Sequence, residues 1–232
     1  MHISTFLERS DPTQLHVCLP PDFDSSYYST DFFSIFCKNL HGIECLTASG
    51  WQIAPLEMET FPNVREISFY DDDNSWEENW DGVTRPLDIN VSKFPRLEAI
   101  DSIYGSWLNV ATPSPDRFPN LLRLSLSADA KSMWFKIIKY TARTLESLFI
   151  RSWAVHNVPG DFVLDLPALK SLETSNFPHN TPWLARITTP SLISYKAFHN
   201  REGFFPHYTT ITTHTDVGSV THLRMDIIPN LS

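Results

Sequence analysis

The sequence predicts an α/β solenoid, with a parallel β-sheet on its concave face and short helices and loops on its convex side. Three observations carry that prediction. First, a phrase of the form Phe-Pro-x-Leu-x-x-Leu recurs at Phe61–Ile67, Phe94–Ile100 and Phe118–Leu124, with Leu for Phe at Leu166–Leu172 and Thr for Phe at Thr189–Tyr195. Copies without the proline stand at Lys38–Ile43 and Arg143–Leu148. Second, the first apolar residue of each copy falls at 40, 64, 97, 121, 145, 169 and 192, in steps of 24, 33, 24, 24, 24 and 23. A period in the twenties marks repeats that bury their apolar face only by stacking on neighbours. Third, position +3 from this anchor is apolar or aromatic throughout (Ile43, Ile67, Ile100, Leu124, Leu148, Leu172, Tyr195), while +2 and +4 are mostly polar or small. That alternation belongs to strands with one buried face.

Each copy therefore predicts one short strand. The spans lie near 14–19, 40–46, 64–70, 97–103, 121–127, 145–151, 169–174, 192–198 and 220–226, in a single domain covering 1–232. The proline at −2 has no N–H to give a ladder, so it suits the mouth of a strand and not its middle. It also drives the residue before it out of helical geometry, which ends the preceding unit. The residue at −3 (Phe61, Phe94, Phe118, Leu166) then sits where the chain turns in and can plug the core.

Between strands the chain must return. One return reads as an amphipathic helix over 129–143, with Met133, Trp134, Ile137, Ile138 and Thr141 on one face. Thr30–Asn39 is a second helical candidate, through Phe32, Phe33 and Phe36. The remaining returns are rich in Pro and Ser and predict irregular loops. The long step of 33 places a rim insertion at 71–82, which contains Asp71, Asp72, Asp73, Glu77, Glu78 and Asp81. A second insertion is expected at 200–218. With no polar cap after the last expected strand, the chain reads as a fragment.

Composition bounds the function. The chain has 232 residues, 42% of them hydrophobic, enough for a sizeable core. Cys18, Cys37 and Cys45 form no C-x-x-C pair or disulfide spacing, and no secretory leader or membrane-length apolar run is legible. Cytoplasm or nucleus is the expected location. The net charge of −9 is divided unevenly: residues 1–116 hold 6 Lys and Arg against 19 Asp and Glu, and residues 117–232 hold 12 against 8. Such a dipole disfavours nucleic acid at the acidic half and suits a basic partner there. A solvated acidic surface is the plainer reading.

The whole chain resembles the irregular leucine-rich-repeat region of fungal, mushroom-type F-box proteins. Phe6-Leu7-Glu8-Arg9-Ser10 followed by Leu15-His16-Val17-Cys18-Leu19 is similar to the segment just after the F-box in that family, and the Phe-Pro-x-Leu-x-x-Leu series is similar to its repeats. The resemblance implies a protein-binding solenoid that selects the substrate of a ubiquitin ligase. A Skp-type adaptor becomes a partner only if an F-box lies upstream. No F-box is legible: Leu19-Pro20-Pro21-Asp22-Phe23 imitates its start, but Ser25-Ser26-Tyr27-Tyr28-Ser29 interrupts the helix that should follow. A stand-alone interaction scaffold stays open as an alternative. So does a parallel β-helix hydrolase, although only 7 glycines and the 129–143 helix speak against it.

Catalytic signatures are missing. There is no G-x-S-x-G, no G-x-x-x-x-G-K, no H-E-x-x-H and no G-x-G-x-x-G. Asp71-x-Asp73 continues into Ser75 and Trp76 and fails the calcium-loop template. His199, His207, His214 and His222 stand 8, 7 and 8 apart, without the short chelating pair of a zinc site. No catalytic, metal or cofactor residue is therefore expected, and neither nucleic acid nor membrane is an expected partner. The candidate contacts for a protein partner are the outward strand positions Glu44, Glu66, Ser68, Asp101, Arg123, Ser125, Phe149, Glu173 and Lys196. Trp76, Trp107 and Trp153 join them as an aromatic rim just past the strands. Trp134, on the helical face, is expected in the core, and core cover beneath long loops is the plainer reading of the rim tryptophans.

Overall fold

The computed structural model describes residues 15–19, 31–48, 59–69, 89, 91–104, 118–128, 134–152, 163–175, 186–199 and 207–209. Its main element is a nine-stranded sheet built from β1 (Leu15–Cys18), β2 (Ile43–Ala48), β3 (Glu66–Phe69), β4 (Ala99–Tyr104), β5 (Arg123–Ala128), β6 (Ser147–Ser152), β8 (Ser171–Ser175), β10 (Ser194–His199) and β11 (His207–Thr209). Two further strands, β7 (Leu164–Asp165) and β9 (Ile187–Thr188), pair with each other in a small parallel sheet of their own. In the main sheet the strands follow chain order and every pair is parallel until the last, where β11 runs antiparallel to β10. A solenoid produces this order, because each coil lays its strand beside the one before it.

The strands begin about two residues later than the sequence predicts, and the reason lies in the recurring phrase itself. The anchor N–H donates to the carbonyl at −3 and closes a turn: Leu97 to Phe94 at 3.2 Å, Leu121 to Phe118 at 3.4 Å, Leu169 to Leu166 at 3.2 Å and Leu192 to Thr189 at 3.2 Å. Proline at −2 thus occupies the second turn position, where its fixed φ is favoured and its missing N–H costs nothing. The carbonyl at +1 then accepts two bonds from the next coil. Glu98 O takes the N–H groups of Leu122 (2.8 Å) and Arg123 (3.0 Å), and Leu122 O takes those of Glu146 (2.8 Å) and Ser147 (3.0 Å). Both lone pairs of one oxygen are used, so the coils are stitched together just before the ladder starts.

The anchors and their +3 partners form the core. Val64, Leu121, Leu145 and Leu169 at the anchor, with Ile67, Ile100, Leu124, Leu148 and Tyr195 at +3, are all buried. The −3 residues do plug it: Phe61, Phe94, Phe118 and Leu166 are buried, and the rings of Phe61 and Phe94 stack 4.8 Å apart at 13° between coils separated by the long step. Such offset aromatic pairs add about 0.5–1.5 kcal/mol beyond their burial.

The first repeat corrects the sequence reading. Cys45 pairs with Glu66, Leu46 with Ile67 and Ala48 with Phe69, which puts Ile43 opposite Val64. The anchor is therefore Ile43, not Leu40, and Leu40 takes the −3 plug position with its carbonyl accepting the Ile43 N–H. Residues 40–42 form a single tight helical turn in place of the expected strand start. Apolar residues at 40, 43 and 46 are spaced by three, so the pattern fits itself after a slip of one turn, and no proline fixes the frame.

α1 (Asp31–Lys38) and α2 (Trp134–Thr141) supply two of the returns. Within α2, Ile137, Ile138 and Thr141 are buried while Lys139 is exposed, and the Thr141 hydroxyl donates back to Ile137 and Ile138 carbonyls at 3.2 and 3.1 Å. The start of the expected helix, 129–133, lies outside the described residues, as does the side chain of Trp134. Expected loops turn out partly extended: the Leu166 N–H reaches Thr188 O at 2.9 Å, just beyond the β7–β9 pair. Phe61 N–H makes the equivalent bond to Lys93 O at 2.8 Å. The insertion at 200–218 contains β11, so β10 is followed in the sheet by an antiparallel strand and not by the strand expected at 220–226, which lies outside the described residues.

Candidate interaction face

The outward face of the sheet is ruled into lines by register. Ser68 lies beside Asp101, Ser125 beside Phe149, Phe149 beside Glu173 and Glu173 beside Lys196, so the +4 residues form one row, interrupted by a register shift between β4 and β5. Arg123, Ser147, Ser171 and Ser194 form a second row at +2. Glu66 belongs to it as well, two strands away from Arg123 across Ala99. Of the expected contact residues, Asp101, Arg123 and Lys196 are exposed, and Glu66, Ser68, Ser125, Phe149 and Glu173 are half-buried. Trp76, Trp107 and Trp153 lie outside the described residues, as does the insertion 71–82.

Glu44 moves. With the anchor at Ile43 it stands at +1, level with Arg65, and the two form an ion pair at 3.4 Å. The +1 position is a third row, which strand alternation left unassigned because it precedes the strand proper. Besides Glu44 it carries Arg65, Glu98, Leu122, Glu146, Lys170 and Ile193. The sequence signal for it is charge: Arg65, Glu98, Glu146 and Lys170 each stand one place after an anchor, although Leu122 and Ile193 do not continue the pattern. Arg65 bridges Glu44 and Glu98, the latter at 3.1 Å, and Lys170 pairs with Glu146 at 2.8 Å.

The other rows carry charge too. Arg123 reaches Glu66 at 2.8 Å over Ala99, which is only 4% exposed, and Lys196 faces Glu173 at 4.0 Å. A small residue between the two is what lets this pair close across an intervening strand. All five pairs join different coils, yet their side chains are well hydrated and each contributes only about 0–1 kcal/mol. Asp101 is different: it is exposed and its side chain takes part in no ion pair or hydrogen bond among the described residues. The pairing of β4 with β5 jumps from Ile100↔Leu124 to Ile103↔Leu126, a bulge that sets Asp101 and Ser102 against Ser125 alone. Bulges commonly re-aim a side chain. Phe149 is the aromatic of its row, and the Arg151 guanidinium lies 6.0 Å from its ring centre.

Position −1 holds a second kind of inter-coil tie. Asn120 Nδ2 donates to Pro95 O at 3.1 Å, Ser191 Oγ to Pro167 O at 2.7 Å and Thr144 Oγ1 to Leu121 O at 2.7 Å. Asn63 does the same to His41 O. These ties hold the turns in step, so the rows above them keep their spacing.

Nucleophile chemistry finds little footing here. Register places His16, Cys45 and Glu66 along one line, but burial, then Glu66 and Glu44, push the Cys45 thiol up, against a smaller opposing pull from Arg123. Cys37 is likewise pushed up by burial and Glu59. Activated thiols need the reverse environment. Among the described residues no group of three His, Cys, Asp or Glu side chains could hold a metal ion, and no helix is long and apolar enough to cross a membrane. No protein-family model, curated protein or solved structure matches the chain.

Proposed function

We propose that this chain is a protein-recognition solenoid of the irregular leucine-rich-repeat kind, serving as the substrate-binding region of an F-box-type ubiquitin-ligase subunit. One observation carries the recognition half of this reading. The sheet presents three rows of mainly polar, charged and aromatic side chains to solvent, joined by the exposed Leu122 and Ile193 of the +1 row, on coils whose anchor and +3 residues are committed to the core. A surface of this kind binds by geometry: fixed row spacing reads an extended or folded partner at several points at once. The ligase half rests on the Phe-Pro-x-Leu-x-x-Leu repeats and the segment 6–19 that resemble those F-box proteins.

The test uses a photo-crosslinking amino acid placed at Ser125 on the outward face or at Lys139 on the exposed side of α2, in cells. The expected result is a protein captured from Ser125 and not from Lys139, which accumulates when the gene is disrupted or the proteasome is inhibited. Capture without accumulation makes the chain a scaffold with no ligase role. Identical capture from both positions sinks the recognition reading itself.

A further inference from the structure

The +4 row has two features that no structural role absorbs. Asp101 is exposed, has no partner among the described residues, and stands on the bulge that breaks the otherwise regular register between β3 and β10. Phe149 is an aromatic ring on an outward face, flanked in register by Ser125 and Glu173 and accompanied by Arg151. Aromatic residues and Arg are both among the residue types enriched at protein interfaces. Between Asp101 and Phe149, on β5, stands Ser125, a small side chain in register with Phe149.

Resting on the recognition reading above, we infer that this row binds an extended protein segment laid across the strands, with a cationic side chain on Asp101 and an aromatic or long aliphatic side chain against Phe149. Charge complementarity fixes the sign of the first contact. Glu44, Glu66, Glu98 and Asp101 surround Arg65 at the β2–β4 end, while Arg123, Arg151, Lys170 and Lys196 outnumber Glu146 and Glu173 from β5 onward. The excess of 19 acidic over 6 basic residues in 1–116 steers a cation to the same end. Geometry fixes the spacing. Asp101 and Phe149 stand two strands apart, about 10 Å at ~4.8 Å per strand. Three residues of an extended segment in the polyproline-II conformation span about the same distance at ~3.1 Å each, and its three-residue turn brings side chains three apart back to the same face. The expected motif is therefore a Lys or Arg three positions from an apolar anchor.

Phage-displayed random 12-residue peptides selected on the full chain test this, with parallel selections on Asp101→Asn, Phe149→Ser and the double variant Lys170→Ala/Lys196→Ala. All four positions are on the surface, and circular dichroism checks that each variant folds. Selection on the unaltered chain is expected to enrich a cation three places from an aromatic or aliphatic residue. Asp101→Asn is expected to weaken a selected peptide about threefold, in the range of an exposed ion pair. Phe149→Ser is expected to weaken it about tenfold or more, as loss of an interface anchor does. Enrichment of acidic peptides that depend on Lys170 and Lys196 overturns the inference and leaves the recognition reading standing. No enrichment at all, or enrichment indifferent to every face substitution, overturns both.

Discussion

Tyr195 is the largest fully buried side chain among the described residues, and its hydroxyl meets Thr174 Oγ1 at 3.2 Å between β10 and β8. Burial pushes its phenol above the ordinary value of 10.0, with the Thr174 hydrogen bond acting in the other direction. The sign follows from linkage: below pH 10 both folded and unfolded chains carry the proton and stability is complete. As pH rises beyond 10 the unfolded chain ionises first, so stability falls through the folded-state value. Urea unfolding of the native chain should therefore weaken above about pH 10, and Tyr195→Phe should remove part of that slope. At neutral pH the same substitution strands the Thr174 hydroxyl and costs about 1 kcal/mol; adding Thr174→Val should recover much of it. A gap between native and Tyr195→Phe chains that stays constant from pH 8 to 11 would refute the assignment. Cys45 offers a second residue-scale check. Its thiol should react with iodoacetamide more slowly than free cysteine at pH 8, and Glu66→Gln should speed it by removing the nearest carboxylate and freeing Arg123. Equal rates in the two chains would discount the Glu66 effect.

At the scale of the element, the repeating unit is a turn, a tie and a strand, and each part has its own energetic weight. Leu121 at the anchor is wholly buried, so Leu121→Ala should cost about 2–5 kcal/mol through lost burial and a cavity. Asn120→Ala removes the exposed tie to Pro95 O and should cost at most about 1 kcal/mol. Urea midpoints measure both, and a larger loss from Asn120→Ala would reverse the ranking of core over tie. Ala99→Leu should open the Arg123–Glu66 pair by filling the gap it closes over, which a crystal structure of the variant would show directly. The strands themselves were legible in the sequence because proline fixes the frame: Phe61-Pro62, Phe94-Pro95 and Phe118-Pro119 each mark a turn whose N–H loss is harmless. Where the proline is missing, at 38–43, the apolar spacing of three allowed the wrong frame, and only pairing with β3 decides it. The face was half legible. Strand alternation gives +2 and +4, but in every coil except the first +1 falls between the turn and the ladder, where alternation is no guide. Ion pairs across coils are invisible to any one repeat.

Across the whole molecule, pairing joins each strand only to its neighbours in the coil order, so stability should be distributed like that of a linear array. The interior strands β5, β6 and β8 each have a parallel partner on both sides and share the longest unbroken register, from Arg123↔Ser147 through Ser147↔Ser171. The ends are less well held. β1 pairs with β2 through an irregular register and has no second neighbour in the sheet among the described residues, while β11 contributes three residues in the opposite direction. Amide exchange should therefore grade along the solenoid: slowest in β5, β6 and β8, faster in β2 and β10, fastest in β1 and β11. Leu148→Ala, in the middle of the array, should lower protection in every strand, because unfolding its coil separates both halves from their neighbours. Leu15→Ala should lower protection in β1 and β2 and leave β6 and β8 unchanged. Uniform protection from β1 to β11, with Leu15→Ala felt equally everywhere, would mean that the coils unfold as one block. The face would then owe its rigidity to the whole sheet, and the row spacing that sets Asp101 and Phe149 two strands apart could not loosen locally to admit a partner.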